Sequence, residues 1–352
     1  MSTVNNGPQI VRTGLVLNLD ASSVTSYSAI AVYKVECYST FGGGLRSANY
    51  TVQYSDDNST WTTAFTGVMS NNSSCGIITG TNRNDSNYSK HRYWRYVEGG
   101  AVVGHHPRVS RIDFITKSGA VYNLITYTTD NCADSGTYIV GTVSKDFGTT
   151  TWRDTSGNSN NGTFGASTAE PTYSNQNGGV IVFDGTNDFV SISSLASFNF
   201  GSAMSVFVWH KNIGGDYRGV IANTYGGGGF DLRYGREDFF GGGNNGTILN
   251  VYINTSSGTF SRSINAELNV WGNYGFTYTG SSLIAYKNGV SFSTISASGN
   301  VSVTSNSVII GKNLVGSEFL SGNVAIVFIY NRALSSLEIM QNFQATKTRF
   351  GL

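Results

Sequence analysis

Three of the four histidines, His91, His105 and His106, and all three cysteines, Cys37, Cys75 and Cys132, fall within residues 29–147. A metal centre built from such side chains needs ligands at chelating intervals on one face. The adjacent His105 and His106 diverge if they stand on a strand, and no further His or Cys follows at a ligand spacing. The odd number of thiols, in a chain whose Met1 to Arg12 shows no basic start followed by an apolar run, reads as buried or unpaired cysteines. A Cys37–Cys132 bridge formed in an oxidising medium stays open as the alternative. Cleavage of a glycosidic bond requires two carboxylates that project together, commonly from alternate residues of a strand. No Glu-x-Asp-x-Glu run exists, and the neighbours Glu237 and Asp238 would face opposite ways. No Gly-x-Ser-x-Gly elbow is present, and the glycine runs 226–229 and 241–243 lack the Lys-Ser/Thr of a phosphate loop. No catalytic residues are assigned, and the chain is not expected to be an enzyme.

What remains is binding chemistry. A sugar is held by an aromatic face against its C–H surface, with amide, carboxylate or guanidinium groups on its hydroxyls. Tyr217, Tyr225 and Tyr234 with Asp231 and Arg233 supply those types in a short stretch, and the glycine runs beside Tyr225, Phe230, Phe239 and Phe240 suit a recognition loop or simple turns. The competing reading places alternate aromatics in a core, as expected for Trp152, Trp209 and Trp271. The stretch Asp154-Thr-Ser-Gly-Asn158-Ser-Asn160 offers alternate oxygen ligands, although Asp, Ser and Asn before Gly also make a tight turn. Charged residues are 12% of the chain and the formal net charge is +1, so phosphate-rich and anionic-membrane partners are disfavoured.

The elements that must position these residues are short strands. Gly is abundant at 44, Pro is at 3, and aromatics make up 13%, the balance of strands joined by Gly/Asn turns. In Gly14 to Ala21, Leu15, Leu17 and Leu19 share one face. Strands are expected near 180–184, 188–193, 203–210, 218–223, 229–234, 248–254, 259–264, 272–279, 282–287, 290–295, 307–311 and 322–330. Asn288-Gly289 fits a two-residue hairpin turn, which requires positive φ at both central residues. A helix is expected from about Ser336 to Thr346, with Ser335 as N-cap, Glu338 closing a capping box, Leu334 and Ile339 as staple, and Ile339, Met340 and Phe343 laid on a sheet. The longest apolar run, Val324 to Tyr330, is about a third of the ~20 residues that span a bilayer. Within residues 29–147, ten Lys and Arg balance nine Asp and Glu, so the basic residues there do not form a phosphate tract. The fold class is all-β, a jelly-roll sandwich with one short C-terminal helix.

Five ordered motifs carry a resemblance: GLVLNLD (14–20), TWRDTSGNSNNGT (151–163), VFDGTND (182–188), AYKNG (285–289) and IYNRALS (329–335). They resemble the laminin-G/concanavalin-like domains of phage structural proteins, and the closing residues 338–352 resemble those of tailed phages infecting cyanobacteria and other marine bacteria. A second set, YTVQYSDDNSTW (50–61) with HRYWRY (91–96), resembles the discoidin or galactose-binding-like sandwich. The order of motifs implies a discontinuous first domain, 1–28 plus 148–352, with the second, 29–147, inserted in an early loop. Because laminin-G relatives can bind Ca²⁺ at a sandwich rim, the resemblance makes Asp154, Asn158 and Asp184 candidate ligands and Ca²⁺ the candidate cofactor. It further implies a multi-copy virion protein, assembled in a host cytoplasm, on a capsid or tail. Its partners would be other virion proteins and host surface glycans, with no nucleic acid and no membrane insertion. A tail-associated polysaccharide depolymerase and an architectural decoration protein without ligand are the alternatives.

Overall fold

The computed structural model describes residues 8–22, 32–39, 48–55, 59–69, 76–82, 93–101, 108–109, 111–117, 121–126, 137–138, 142–146, 150–174, 176–194, 198–215, 217–223, 229–235, 246–303, 305–313 and 318–352. The chain divides into two compact units, Met1–Tyr27 with Thr150–Leu352, and Ser28–Thr149. The architecture is all-β with a short C-terminal helix.

The larger unit is built on two antiparallel eight-stranded sheets. One runs in the order Thr172–Ser174, Val180–Asp184, Ser321–Tyr330, Met204–Gly214, Gly272–Tyr278, Ser282–Lys287, Val290–Ser296, and Leu15–Asp20 also pairs with Ser321–Tyr330. The other runs Thr151–Trp152, Gly162–Phe164, Val190–Ser194, Ser307–Ile310, Arg218–Ala222, Phe230–Tyr234, Ile248–Thr255, Gly258–Asn265. Alternation decides what each strand buries. Phe230 and Tyr234 reach across to Phe276 and His210 of the first sheet, with ring centroids 6.0 and 5.6 Å apart, so this face is the inter-sheet core. Asp231 and Arg233 therefore lie on the outward face.

Strand Met204–Gly214 is buried on both faces because a cap covers the outside of its sheet. Trp209 stacks on Phe343 at 5.7 Å and on Phe350 at 4.1 Å, and its indole N–H donates to Thr346 Oγ1 at 2.8 Å. The cap is the helix Ser336–Thr346, and its start carries the expected capping box: Ser335 accepts from the Glu338 amide while Glu338 accepts from Ser335. Arg332 adds two donors to the Glu338 carboxylate, which pulls that carboxyl down to about 2. Asn288 and Gly289 have φ of 52° and 80°, as the hairpin between Ser282–Lys287 and Val290–Ser296 demands. Trp152 and Trp209 are fully buried, and Trp271 packs against Phe350 at 4.9 Å.

The smaller unit places two four-stranded sheets around one core. Their orders are Thr142–Asp146, Tyr93–Ala101, Ala48–Ser55, Thr62–Met69 and Gly76–Asn82, Val32–Ser39, Arg111–Thr116, Val121–Thr126. Tyr50, Val52, Trp94 and Tyr96 from one meet Val35, Cys37, Ile112 and Phe114 from the other. Cys37 is a buried free thiol whose pKa is raised by burial, so the alternative of a Cys37–Cys132 bridge gives way to an unpaired core cysteine. Cys75, Cys132, His91, His105 and His106 lie outside the described residues.

Candidate functional site

The outward face of the second large sheet carries a polar cluster on strands Arg218–Ala222, Phe230–Tyr234 and Ile248–Thr255. The register sets it: Arg233 pairs with Gly219 on one side and Asn250 on the other, and Asp231 pairs with Tyr252. Residues 311–313 and 318–320 fold onto this face. They are joined by the Lys312–Phe319 bridge, and the Glu318 carbonyl accepts from both the Asn313 and Gly219 amides, at 3.2 and 3.1 Å. Gly219 makes this possible, because a Cβ there would stand 2.1 Å from the Asn313 nitrogen.

These two segments bring Asn313 and Glu318 to the strand residues. Asn313 Nδ2 donates to Glu318 Oε2 at 2.9 Å and approaches Asp231 Oδ2 at 3.4 Å. Arg233 lies 3.6 Å from Asp231, 3.8 Å from Glu318, and over the Tyr252 ring at 5.0 Å. Asp231 is 3% exposed, and its Oδ1 has no hydrogen-bond partner. Burial pushes its carboxyl up to about 7; Arg233 opposes that shift and Glu318 adds to it. Burial works against the Arg233 charge, but the Tyr252 side chain and the carboxylates of Asp231 and Glu318 outweigh it, so the guanidinium stays charged. Asn250 Nδ2 donates to the Gly235 carbonyl at 3.1 Å, and its Oδ1 accepts from Ser263 at 2.7 Å.

Tyr217 completes the cluster. It is 36% exposed, adopts a φ of +56°, and its ring lies where a Gly235 Cβ would point, at 3.4 Å. Gly235 directly follows strand Phe230–Tyr234, so the tyrosine ring stands at the end of the strand that carries Arg233. Of the five residues expected to hold a sugar, Tyr217, Asp231 and Arg233 come together here, and Tyr225 lies outside the described residues. Tyr234 belongs elsewhere. It is buried between the sheets with its hydroxyl 2.9 Å from His210 Nε2, so it has no free ring face. Burial pulls that histidine down to about 3, which keeps it neutral.

Reading the sequence did not find Asn250, Tyr252, Asn313 or Glu318. The first two were signalled by the alternation of polar residues at 250, 252 and 254 along Ile248–Thr255; Asn313 and Glu318 carry no local signal. Glu237 and Asp238 lie outside the described residues.

The calcium candidates serve the chain itself. Both Asp154 oxygens are spent on the chain itself. Oδ1 accepts from the Asn18 and Ser156 amides at 2.9 and 2.8 Å, and Oδ2 accepts from Ser156 Oγ and the Asn160 amide at 2.7 and 3.0 Å. Asn158 points its amide nitrogen, a donor, at the Leu15 carbonyl, 3.0 Å away. Asp184 Oδ1 accepts from Thr186 and Asn187 amides within its own turn. Asp154 and Asn158 thus tie their turn to the strand Leu15–Asp20. Among the described residues no group of three His, Cys, Asp or Glu could hold a metal ion.

Residues 184–340 match the family model of the concanavalin A-like lectin/glucanase superfamily, Laminin_G_3. The fold is concanavalin-like. The matched segment contains every residue of the outward cluster. No curated protein matches the sequence. Among solved structures, the binding domain of Paraclostridial Mosquitocidal Protein 1 is similar at 14% identity and a TM-score of 0.43, over 54% of this chain and 48% of that one. The receptor binding domain of botulinum neurotoxin type G aligns at 12% identity and a TM-score of 0.42, over 55% and 48%. Domain 4 of AbnA, an extracellular GH43 arabinanase from Geobacillus stearothermophilus solved with arabinotriose, aligns at 17% identity and a TM-score of 0.42, over 54% and 91%. The chain spans about half the length of the first of these structures.

Proposed function

We propose that the larger unit is a non-enzymatic glycan-binding module, with its site at Tyr217, Arg233, Tyr252 and Glu318. The observation that carries this reading is an exposed tyrosine ring at Gly235, two residues along the chain from a half-buried guanidinium fixed by carboxylates. That pairing supplies a stacking surface and directed donors. The matched superfamily covers both lectins and glucanases, and the state of Asp231 favours the first. Its raised pKa is what a general acid needs, but a side chain 3% exposed does not reach a glycosidic oxygen. The test is an array of bacterial surface glycans probed with the whole chain and with Tyr217→Ala. Selective binding that the substitution weakens about tenfold supports the site, whereas a blank array removes it. Release of reducing ends from an envelope polysaccharide would instead make the chain a depolymerase.

The setting we propose is the surface of a tailed-phage particle, where many copies would turn weak sugar contacts into useful avidity. This rests on the motifs at 14–20, 151–163, 182–188, 285–289, 329–335 and the closing residues, and the galactose-binding-like character of the smaller unit rests on those at 50–61 and 91–96. Antibody labelling of intact particles tests it: decoration of capsid or tail supports the reading, and unlabelled particles from a lysate containing the protein reject it.

A further inference from the structure

The smaller unit carries a second polar construction, on the outward face of the sheet whose inner face holds Val52, Trp94 and Tyr96. Gln53 pairs with Arg95 on one side and Thr63 on the other, so the three share a row across adjacent strands. Arg95 Nε donates to Gln53 Oε1 at 2.7 Å, and Gln53 Nε2 donates to Thr63 Oγ1 at 3.2 Å. The guanidinium carbon sits 4.1 Å from the centroid of the Trp61 ring, just before strand Thr62–Met69. Arg95 is thus fixed by a hydrogen bond at Nε and by the indole face. Among the described residues its two terminal nitrogens, the end-on fork that grips planar anions, meet no partner.

Lys34, Arg233, Lys287, Arg332 and Arg349 each meet a carboxylate. Among the described residues none pairs with Arg95, and burial lowers its pKa with no acid raising it. An oriented guanidinium that meets no acid among the described residues is placed to take one from a ligand.

We propose that Arg95, Trp61, Gln53 and Thr63 form an anion site for the carboxylate of an acidic sugar, a uronate unit within a polysaccharide. A planar carboxylate extends the plane of the fork, and its single charge matches the single cation. The exposed Thr63 and half-buried Gln53 lie beside it for ring hydroxyls, and the indole edge offers an apolar flank. With a net charge of +1 over the whole chain, attraction from a distance is weak and selectivity rests on this geometry.

The test is titration of the full chain with oligogalacturonate, a sulfated galactan oligomer and a neutral galactan oligomer, followed by tryptophan fluorescence and calorimetry. Oligogalacturonate is expected to bind, the neutral oligomer not, and Arg95→Gln to weaken binding about tenfold or more. Arg95→Lys keeps the charge but loses the fork and should give most of the same loss; it serves as the readout if Arg95→Gln does not fold. Tyr217→Ala should leave uronate binding unchanged, which separates this site from the one proposed on the larger unit. The proposal is overturned if oligogalacturonate fails to bind at millimolar concentration, if folded Arg95 variants bind it as well as the parent, or if the sulfated oligomer binds equally tightly.

Discussion

Asp231 and Tyr234 sit three residues apart on one strand, and the strand's alternation sends them to opposite fates. The types Tyr, Asp and Arg were legible as sugar-binding chemistry, but their faces were not, because Phe230, Leu232 and Tyr234 look no more apolar in sequence than an aromatic platform would. Asp231 also sets a pH dependence. Its carboxyl titrates near 3.8 unfolded and about 7 folded, so the folded state holds the proton more tightly. Stability from this group is therefore fully present below about pH 4 and is lost as pH rises toward 7, on the order of 2–4 kcal/mol in total. Asp231→Asn keeps the shape without the charge. Its melting temperature should fall less than the parent's between pH 4 and 7.5; parallel curves would show that Arg233 already neutralises the carboxylate. Gly219 carries a prediction of the opposite kind. Gly219→Ala must displace the Asn313 backbone and should cost about 1–3 kcal/mol by overpacking, with a loss of glycan binding that exceeds the loss of stability. Urea denaturation read beside the glycan array checks both parts.

Elements with a local code were read closely. The helix Ser336–Thr346 and the Asn288-Gly289 turn depend on side chains within four residues of the backbone groups they satisfy, so spacing alone was enough. The placement of 311–313 and 318–320 was not legible, since Gly219, Arg218 and the strand beneath, all distant in sequence, hold these residues. Arg218 Nη1, for instance, donates to the Phe319 carbonyl at 2.8 Å. The helix cap allows a direct test. Ser335→Ala leaves the Glu338 amide without its acceptor and frees Glu338 from half of its box, and should cost about 1 kcal/mol. Glu338 retains Arg332, and because its carboxyl is depressed to about 2, that support persists above pH 4.5 and fades only as pH falls toward 2. The substituted chain should therefore show its 1 kcal/mol deficit at pH 7 by chemical denaturation. A deficit near zero would mean that Trp209, Phe343 and Phe350 alone hold the helix in place.

At the scale of the whole molecule, all-β architecture was legible from glycine-rich punctuation and alternating strands, whereas sheet order was not. Register between distant strands has no sequence signature of its own: Leu17 pairs with Ile329 and Leu19 with Val327, at opposite ends of the chain. That pairing makes the N-terminal strand a closing element of the larger unit. Leu17 and Leu19 are fully buried, Leu15 and Val16 nearly so, and the Asn18 amide anchors the Asp154 turn. Burying four aliphatic side chains at about 1.5–3 kcal/mol each gives roughly 6–12 kcal/mol, comparable to the net stability of a whole domain. A chain that starts at Ser22 should therefore lose the cooperative melting of the larger unit and expose the face of Ser321–Tyr330. Because unfolding would release Trp209 from Phe350 and Thr346, its fluorescence should shift to the red at 25 °C. A truncated chain that melts within a few degrees of the parent would show instead that the sandwich closes without its first strand.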